Sequence, residues 1–247
     1  MDAPTALRTG SRSRAAAPAA SRPTGDTQAR VLEAASALFA ERGFAGTTIR
    51  EIAERAKVNV AAGHYHFGSK LELYLEAVSG QFAELEARLA LDRAQPSAAD
   101  LERLSRGEIE ALLGRRIRTM LEFLIGPPPA PQGAIMQREM CDPSEALPMI
   151  VRELVVPQKR AMQAILSRLA PSLGPRELDR CCFSIVGQLF FYRQMLPILP
   201  MLFDVPELPA SFVADTAAHV AAFALDGIAA AERRAAARRR ARGRNSA

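Results

Sequence analysis

Apolar residues recur along this chain at intervals of three and four, the spacing that lines one face of an α-helix. No stretch alternates strictly enough to read as a strand. In "DTQARVLEAASALFAERGF" the positions Val31, Leu32, Ala35, Leu38 and Phe39 share a face, and Gly43 is placed to end the helix. Thr48-Ile49-Arg50-Glu51 has the Thr-x-x-Glu spacing of a capping box and opens a second, short helix with Ile49, Ile52, Ala53 and Ala56 on its apolar side. Lys57-Val58 reads as a turn, and Asn59 as the N-cap of a third short helix to about His66. Ser69-Lys70-Leu71-Glu72 is another capping box. It starts a long helix with Leu71, Tyr74, Leu75, Val78, Phe82, Leu85 and Leu89 down one side.

Helical periodicity continues to the end. One helix is expected over roughly 99–125, stopped by "GPPPAPQG" at 126–133, a loop by composition. A short "AIMQREM" segment precedes "CDPSEALP". The next helix runs to about Leu169 with a kink at Pro157, whose ring nitrogen cannot donate. After "PSLGP" come helices at 175–196 and, past "PELPA", at about 209–230. The pattern predicts an all-α chain. Residues 1–25 form a basic tail with the composition of a disordered segment, 26–80 a helical head, 81–230 a larger helical body, and 231–247 an Arg-rich tail.

Charge sharpens this division. The first 25 residues hold Arg8, Arg12, Arg14 and Arg22 against Asp2, a charge of +3, and residues 231–247 hold seven arginines against Glu232, a charge of +6. The chain's net +5 therefore leaves −4 for residues 26–230. Three cysteines, Cys141, Cys181 and Cys182, do not make a disulfide framework, and neighbouring Cys181 and Cys182 diverge on a helix. They read as plain thiols in a reducing cytoplasm. No metal-ligand spacing occurs, since His64 and His66 point apart on a helix and no third ligand is in view. "CCFSIVGQLFFYRQMLPILPMLF" looks like a membrane span, but Arg193, Gln188, Gln194, Pro197 and Pro200 interrupt it, and a core helix is expected instead. No apolar run of a secretory signal opens the chain. No nucleophile motif, phosphate-binding glycine loop or paired catalytic acids appear, so an enzyme is not expected.

Two short helices around a tight turn, braced by a third, make a helix-turn-helix DNA reader, whose second helix must be short and must offer small or hydrogen-bonding side chains to the major groove. Between Asn59 and His66 the chain offers Val60, Ala61, Ala62, His64 and Tyr65 and no acid. Across 42–70, Arg42, Arg50, Arg55, Lys57 and Lys70 stand against Glu51 and Glu54, a local +3 suited to phosphates.

The run "RVLEAASALFAERGFAGTTIREIAERAKVNVAAGHYHFGSKLELY" resembles the DNA-binding head of TetR-family transcription regulators over about 45 residues, with "LFAERGF", "TTIREIA" and "YHFGSK" in register. "REMCDPSEALPMIVRELVVPQKRAM" and "CCFSIVGQLFFYR" resemble the C-terminal half of the CecR (DUF1956) subgroup. The resemblance implies a three-helix head joined by a long helix to a larger effector-binding and dimerisation body. By position, Arg50 matches a base or phosphate contact, and Val60, Ala61, Ala62 and His64 match groove-facing positions. Tyr65 and His66 match positions near the DNA backbone, Lys70 a phosphate contact, and Thr48 a phosphate contact and helix cap. Thr48, Tyr65 and His66 each also have a purely structural reading. Gly63 departs from the family pattern, which has a large apolar anchor there. Glycine costs about 1 kcal/mol against alanine inside a helix, so the reading helix is expected to order on DNA.

The same resemblance implies a two-fold homodimer built from the last helices, with Phe183, Val186, Phe190, Val213, Ala217 and Ala221 at the interface. A stripe of small residues, Val213, Ala214, Ala217, Ala221 and Ala224, independently suits close helix approach. It further implies a small-molecule effector enclosed among Met120, Phe123, Met136, Met140, Gln188, Phe191 and Tyr192, with Arg138 or Arg193 as polar handles. The function expected is a repressor released from a palindromic operator by that effector, with no cofactor, metal or membrane partner. A sequence-independent nucleic-acid binder working through the Arg-rich tails is the alternative.

Overall fold

The computed structural model describes residues 25–59, 68–125 and 134–244, and every regular element among them is a helix. The expected reading helix, with Val60, Ala61, Ala62, Gly63, His64, Tyr65 and His66, lies outside the described residues. So do the "GPPPAPQG" loop and the first 24 residues. In chain order the helices are α1 (Gly25–Arg42), α2 (Ile49–Ala56), α3 (Lys70–Leu91), α4 (Ala98–Arg103), α5 (Arg106–Ile125), α6 (Ala134–Cys141) and α7 (Leu147–Ile150). A wide π-helical turn (Val151–Val155) then leads into α8 (Val156–Leu169), followed by α9 (Pro175–Met195), α10 (Leu199–Leu202) and α11 (Phe212–Arg244).

The head is α1, α2 and the first half of α3. Val31, Ala35, Leu38 and Phe39 of α1 close on Ile52 and Ala56 of α2 and on Leu73, Tyr74 and Val78 of α3. The Tyr74 ring meets Phe39 and Phe44 edge to face, its centroid 4.8 Å from Phe39 and 5.1 Å from Phe44. Thr47 is fully buried, and its hydroxyl lies 2.9 Å from the Gly43 carbonyl and 3.2 Å from that of Leu38, closing the turn after α1. Arg30 donates to the Ala56 and Lys57 carbonyls, a cation at the negative end of α2.

The head's core does not stop at its own helices. Ile135 of α6, Ala146 and Ile150 belong to the same buried cluster. Beside them the Glu139 carboxylate of α6, only 1% exposed, accepts from the Tyr74 hydroxyl at 2.6 Å and from the Ser144 backbone N–H and hydroxyl at 2.9 and 2.8 Å. Burial, and then the Glu139 carboxylate, push the Tyr74 phenol pKa well above its ordinary value, so this hydroxyl stays a donor. The second cluster forms the body, where α5 runs centrally with α8, α9 and α11 packed on it.

Three elements differ from the sequence expectation. The helix expected at 99–125 is broken at Leu104, which is extended. Ser105 starts α5 as a cap, its N–H donating to Glu108 at 2.8 Å. The disturbance expected at Pro157 takes the form of the π-helical turn just before it. The last helix, expected to end near 230, continues to Arg244 because its Arg-rich segment is docked. Ala235 is buried, the Glu232 carboxylate accepts from the Ser172 N–H at 2.8 Å, and Arg238 pairs with Glu177. Among the described residues α11 alone is long and apolar enough to cross a bilayer. Its buried stripe, Ala217, Val220, Ala221, Ala224 and Ile228, lies in the body core. The "CCFSIVGQLFFYR" segment is the interior of α9, which ends before Pro197 as expected.

Replacing Tyr74 by Phe leaves Glu139 short of one donor inside the protein. It is expected to cost about 1–3 kcal/mol, read as a lower urea midpoint at unchanged m-value. An unchanged midpoint would show that the head–body hydrogen bond contributes nothing.

Candidate nucleic-acid interface

The helix-turn-helix segment is framed by two capping boxes. At α2 the Thr48 hydroxyl oxygen accepts from the Glu51 N–H at 3.2 Å, and the Glu51 carboxylate accepts from the Thr48 N–H at 2.9 Å and from its hydroxyl at 2.8 Å. At α3, Ser69 and Glu72 repeat the arrangement at 3.1 and 2.7 Å. Lys57 closes α2 in the left-handed region at φ 55°, as the expected turn requires. Gly68, at φ 66°, is forced before α3, since a Cβ there would stand 2.2 Å from the Glu72 carboxylate. Local chemistry alone therefore fixes where the segment enters and leaves. Thr48 acts as a cap here, its hydroxyl already engaged.

The cations of this surface are more often paired than the sequence charge suggests. Arg42 meets Glu51 at 2.7 Å, Arg55 meets Glu41 at 2.9 Å, and Arg50 meets Glu54 at 2.9 Å. The first two bridges tie α2 to α1. The third lies within α2, with the Arg50 side chain 80% exposed, and such a pair is worth little in water. Glu54 can therefore give way to a phosphate at low cost. Lys70 starts α3 with its ammonium 4.3 Å from the Phe44 ring centroid, so the aromatic trio that meets Glu139 through Tyr74 also seats this lysine. Sequence reading did not find the Phe44 seat or the Glu139 partner, which come from distant parts of the chain.

The residues expected to enclose an effector do not converge on one cavity. Met120, Phe123 and Tyr192 pack in the body core, whereas Met136 packs against the head cluster. Arg138 lies over Gly43, and Met140 and Phe191 are exposed. Gln188 lines an open groove of about 410 Å³ between α9 and α11, with Cys181, Ile185, Phe223 and Arg234. Of the expected dimer residues, Ala217 and Ala221 are buried within the chain, where the small-residue stripe lets α11 approach its own α5. Val186, Phe190 and Val213 are half-buried. Phe183 (65% exposed), Phe191 (60%) and Phe223 (63%) stand out on the faces of α9 and α11.

A helical head with two caps framing the segment after α2, carried on a long helix into a helical body, is an arrangement that suits a helix-turn-helix regulator. Residues 31–77 match the family described as bacterial regulatory proteins, tetR family, and residues 109–228 match the C-terminal domain of the HTH-type transcriptional dual regulator CecR. The chain belongs to the TetR family of transcription regulators, with a CecR-type C-terminal domain. It is 32% identical over 134 residues to the HTH-type transcriptional dual regulator CecR of Shigella flexneri, a match covering 52% of this chain and 57% of that protein. To the HTH-type transcriptional repressor NicS of Pseudomonas putida it is 40% identical over 76 residues, covering 30% and 36%. These matches thus span little more than half of the curated relatives' length, or less. Among solved structures, a TetR-like transcriptional regulator from Rhodococcus superposes with TM-score 0.59 at 18% identity, over 83% of this chain and 98% of that one.

Hydrogen bonds from the Thr48 side chain and backbone hold the Glu51 carboxyl below its ordinary pKa. Stability from this box is accordingly present above the ordinary carboxylate range and lost as pH falls through the lower folded value. Thr48→Ala is expected to destabilise the protein by about 1 kcal/mol at neutral pH, with the difference from wild type shrinking in acid. Thermal melts at neutral and acid pH check this, and a difference that grows in acid would contradict it.

Proposed function

We propose that two copies of this chain bind one palindromic operator and repress transcription in the bacterial cytoplasm, at the nucleoid, until a small-molecule effector releases them. The observation that carries this reading is the TetR-type head, framed by the Thr48 and Ser69 caps, with Arg50 exposed and Lys70 seated on Phe44 at its rim. In this reading Arg50 and Lys70 meet phosphates or base edges beside the reading helix, on which Val60, Ala61, Ala62 and His64 face the groove and Tyr65 and His66 lie near the DNA backbone. Repression is favoured by the likeness to the transcriptional repressor NicS, and CecR is a dual regulator. Apolar side chains as large as Phe183, Phe191 and Phe223, exposed together, favour a second copy of the chain as their cover. A two-fold pair sets the two reading helices at half-sites about one helical turn apart. The Arg-rich end is part of the body's packing through Glu232 and Ala235, which supports sequence-specific reading over binding through loose tails. An enzymatic role is not proposed.

Selection of genomic fragments by the purified protein at near-physiological salt is expected to yield one palindrome, lost with Arg50→Ala or His64→Ala. Lys70→Ala is expected to weaken binding across sequences and to lower the salt slope by about 1. Recovery of fragments without a shared sequence, or an unchanged salt slope, would overturn the reading. Phe223→Lys is expected to shift the protein from dimer to monomer in sedimentation, and a variant that stays dimeric would move the interface elsewhere.

A further inference from the structure

Arg116 stands in the middle of α5 and is 1% exposed, the largest fully buried side chain among the described residues. Its guanidinium donates to the Ala94 carbonyl at 3.3 Å and to the Gln158 side-chain oxygen at 2.8 Å, while its Nε has no acceptor among the described residues. No described carboxylate lies within ion-pair distance. Glu86 is reached only through Gln158, whose amide nitrogen donates to it at 2.9 Å. This inverts the usual order. Arg42, Arg50, Arg55, Arg88, Arg106, Arg118, Arg152 and Arg238 all keep more than a third of the side chain in solvent, and all have a carboxylate they need little. Arg116, far more buried than these, has hydrogen bonds but no described carboxylate, and a buried charge without a counter-charge is among the costliest features a fold can carry. Burial lowers the Arg116 pKa to about 10, so the side chain stays charged at neutral pH.

Met120 and Phe123 follow Arg116 at i+4 and i+7, on the same face of α5, and both pack in the apolar body cluster. A fork of N–H donors at the end of an apolar strip suits a planar oxyanion attached to an apolar body. Guanidinium groups recognise carboxylates with two parallel N–H bonds, one of them from Nε.

We propose that Arg116 anchors the effector, and that the effector is an organic carboxylate whose apolar body displaces part of the packing that Met120 and Phe123 make in the body cluster. The inference rests on the effector-released regulator reading and adds the chemical class of the effector. The bland alternative is that Arg116 only braces the α3–α4 connection and α8 through Ala94 and Gln158.

Thermal shift on the full chain separates the two. Acetate, benzoate, octanoate and dodecanoate are compared with their primary amides on wild type, Arg116→Met and Arg116→Lys. At about ten times its Kd, at least one carboxylate is expected to raise the wild-type Tm by about 3–6 °C, its amide far less. That difference should vanish in Arg116→Met and shrink in Arg116→Lys, which keeps the charge but loses the fork. Amides acting as well as carboxylates, no carboxylate acting on wild type, or a preference surviving in Arg116→Met would each overturn the proposal. Should Arg116→Met not fold, Arg116→Lys decides, and an undiminished preference there overturns it equally. The same samples are titrated with the selected DNA. Wild type that binds DNA but ignores carboxylates sinks only the anchor, whereas wild type that binds no specific DNA sinks the regulator reading itself.

Discussion

A buried carboxylate with no cation beside it among the described residues ties α6 to the head. Glu139 sits 1% exposed between head and body, and three hydrogen bonds, from Tyr74 and from Ser144 twice, take the place of an ion pair. Such a network is stable only when every donor is in place. Its consequence is that α6 cannot shift without disturbing Tyr74, and Tyr74 cannot shift without disturbing Phe39 and Phe44. Lys70 rests on Phe44. On the other side of the contact, Arg193 of α9 donates to the Leu124 carbonyl at 2.6 Å and to Gln137 of α6 at 3.3 Å. The short helix α6 is thus gripped from the body and itself grips the head. The long helix α3 also runs from head to body, with Leu73, Tyr74 and Val78 in one cluster and Leu85 and Leu89 in the other, so α6 is a second tie between the two.

The electrostatics of the head follow a similar economy. Its cations are spent first on architecture, joining α2 to α1, while the most exposed pair, Arg50 with Glu54, is the easiest to give up to a phosphate. Net charge over the segment overstates what is free to meet DNA. Placement matters more than sum.

Much of this was legible in the chain because it is local. The Thr48–Glu51 and Ser69–Glu72 boxes, the turn at Lys57 and the stop at Gly43 all depend on residues three or four apart, and each stands where the pattern put it. The all-helical architecture and the family were readable for the same reason. What escaped was tertiary. Tyr74 and Glu139 lie 65 positions apart, and no periodicity links them. The Arg-rich end looked like solvated tail until Glu232 and Ala235 docked it. The alanine stripe of α11 fitted a partner helix and the chain's own α5 equally well, and burial chose the latter for Ala217 and Ala221. Even Ser105-x-x-Glu108, a local signal, was overridden by the helical run around it. That Arg116 is buried without a described counter-charge likewise shows only in the fold.

On the proposed reading, a pair of these heads reads one symmetric site. Sedimentation of the protein mixed with its selected DNA fragment tests it most directly, because mass reports how many chains load on each duplex. Two chains per fragment are expected, saturating sharply at that ratio and halting there as protein is added. A single chain per fragment, or loading that climbs with fragment length, would contradict it.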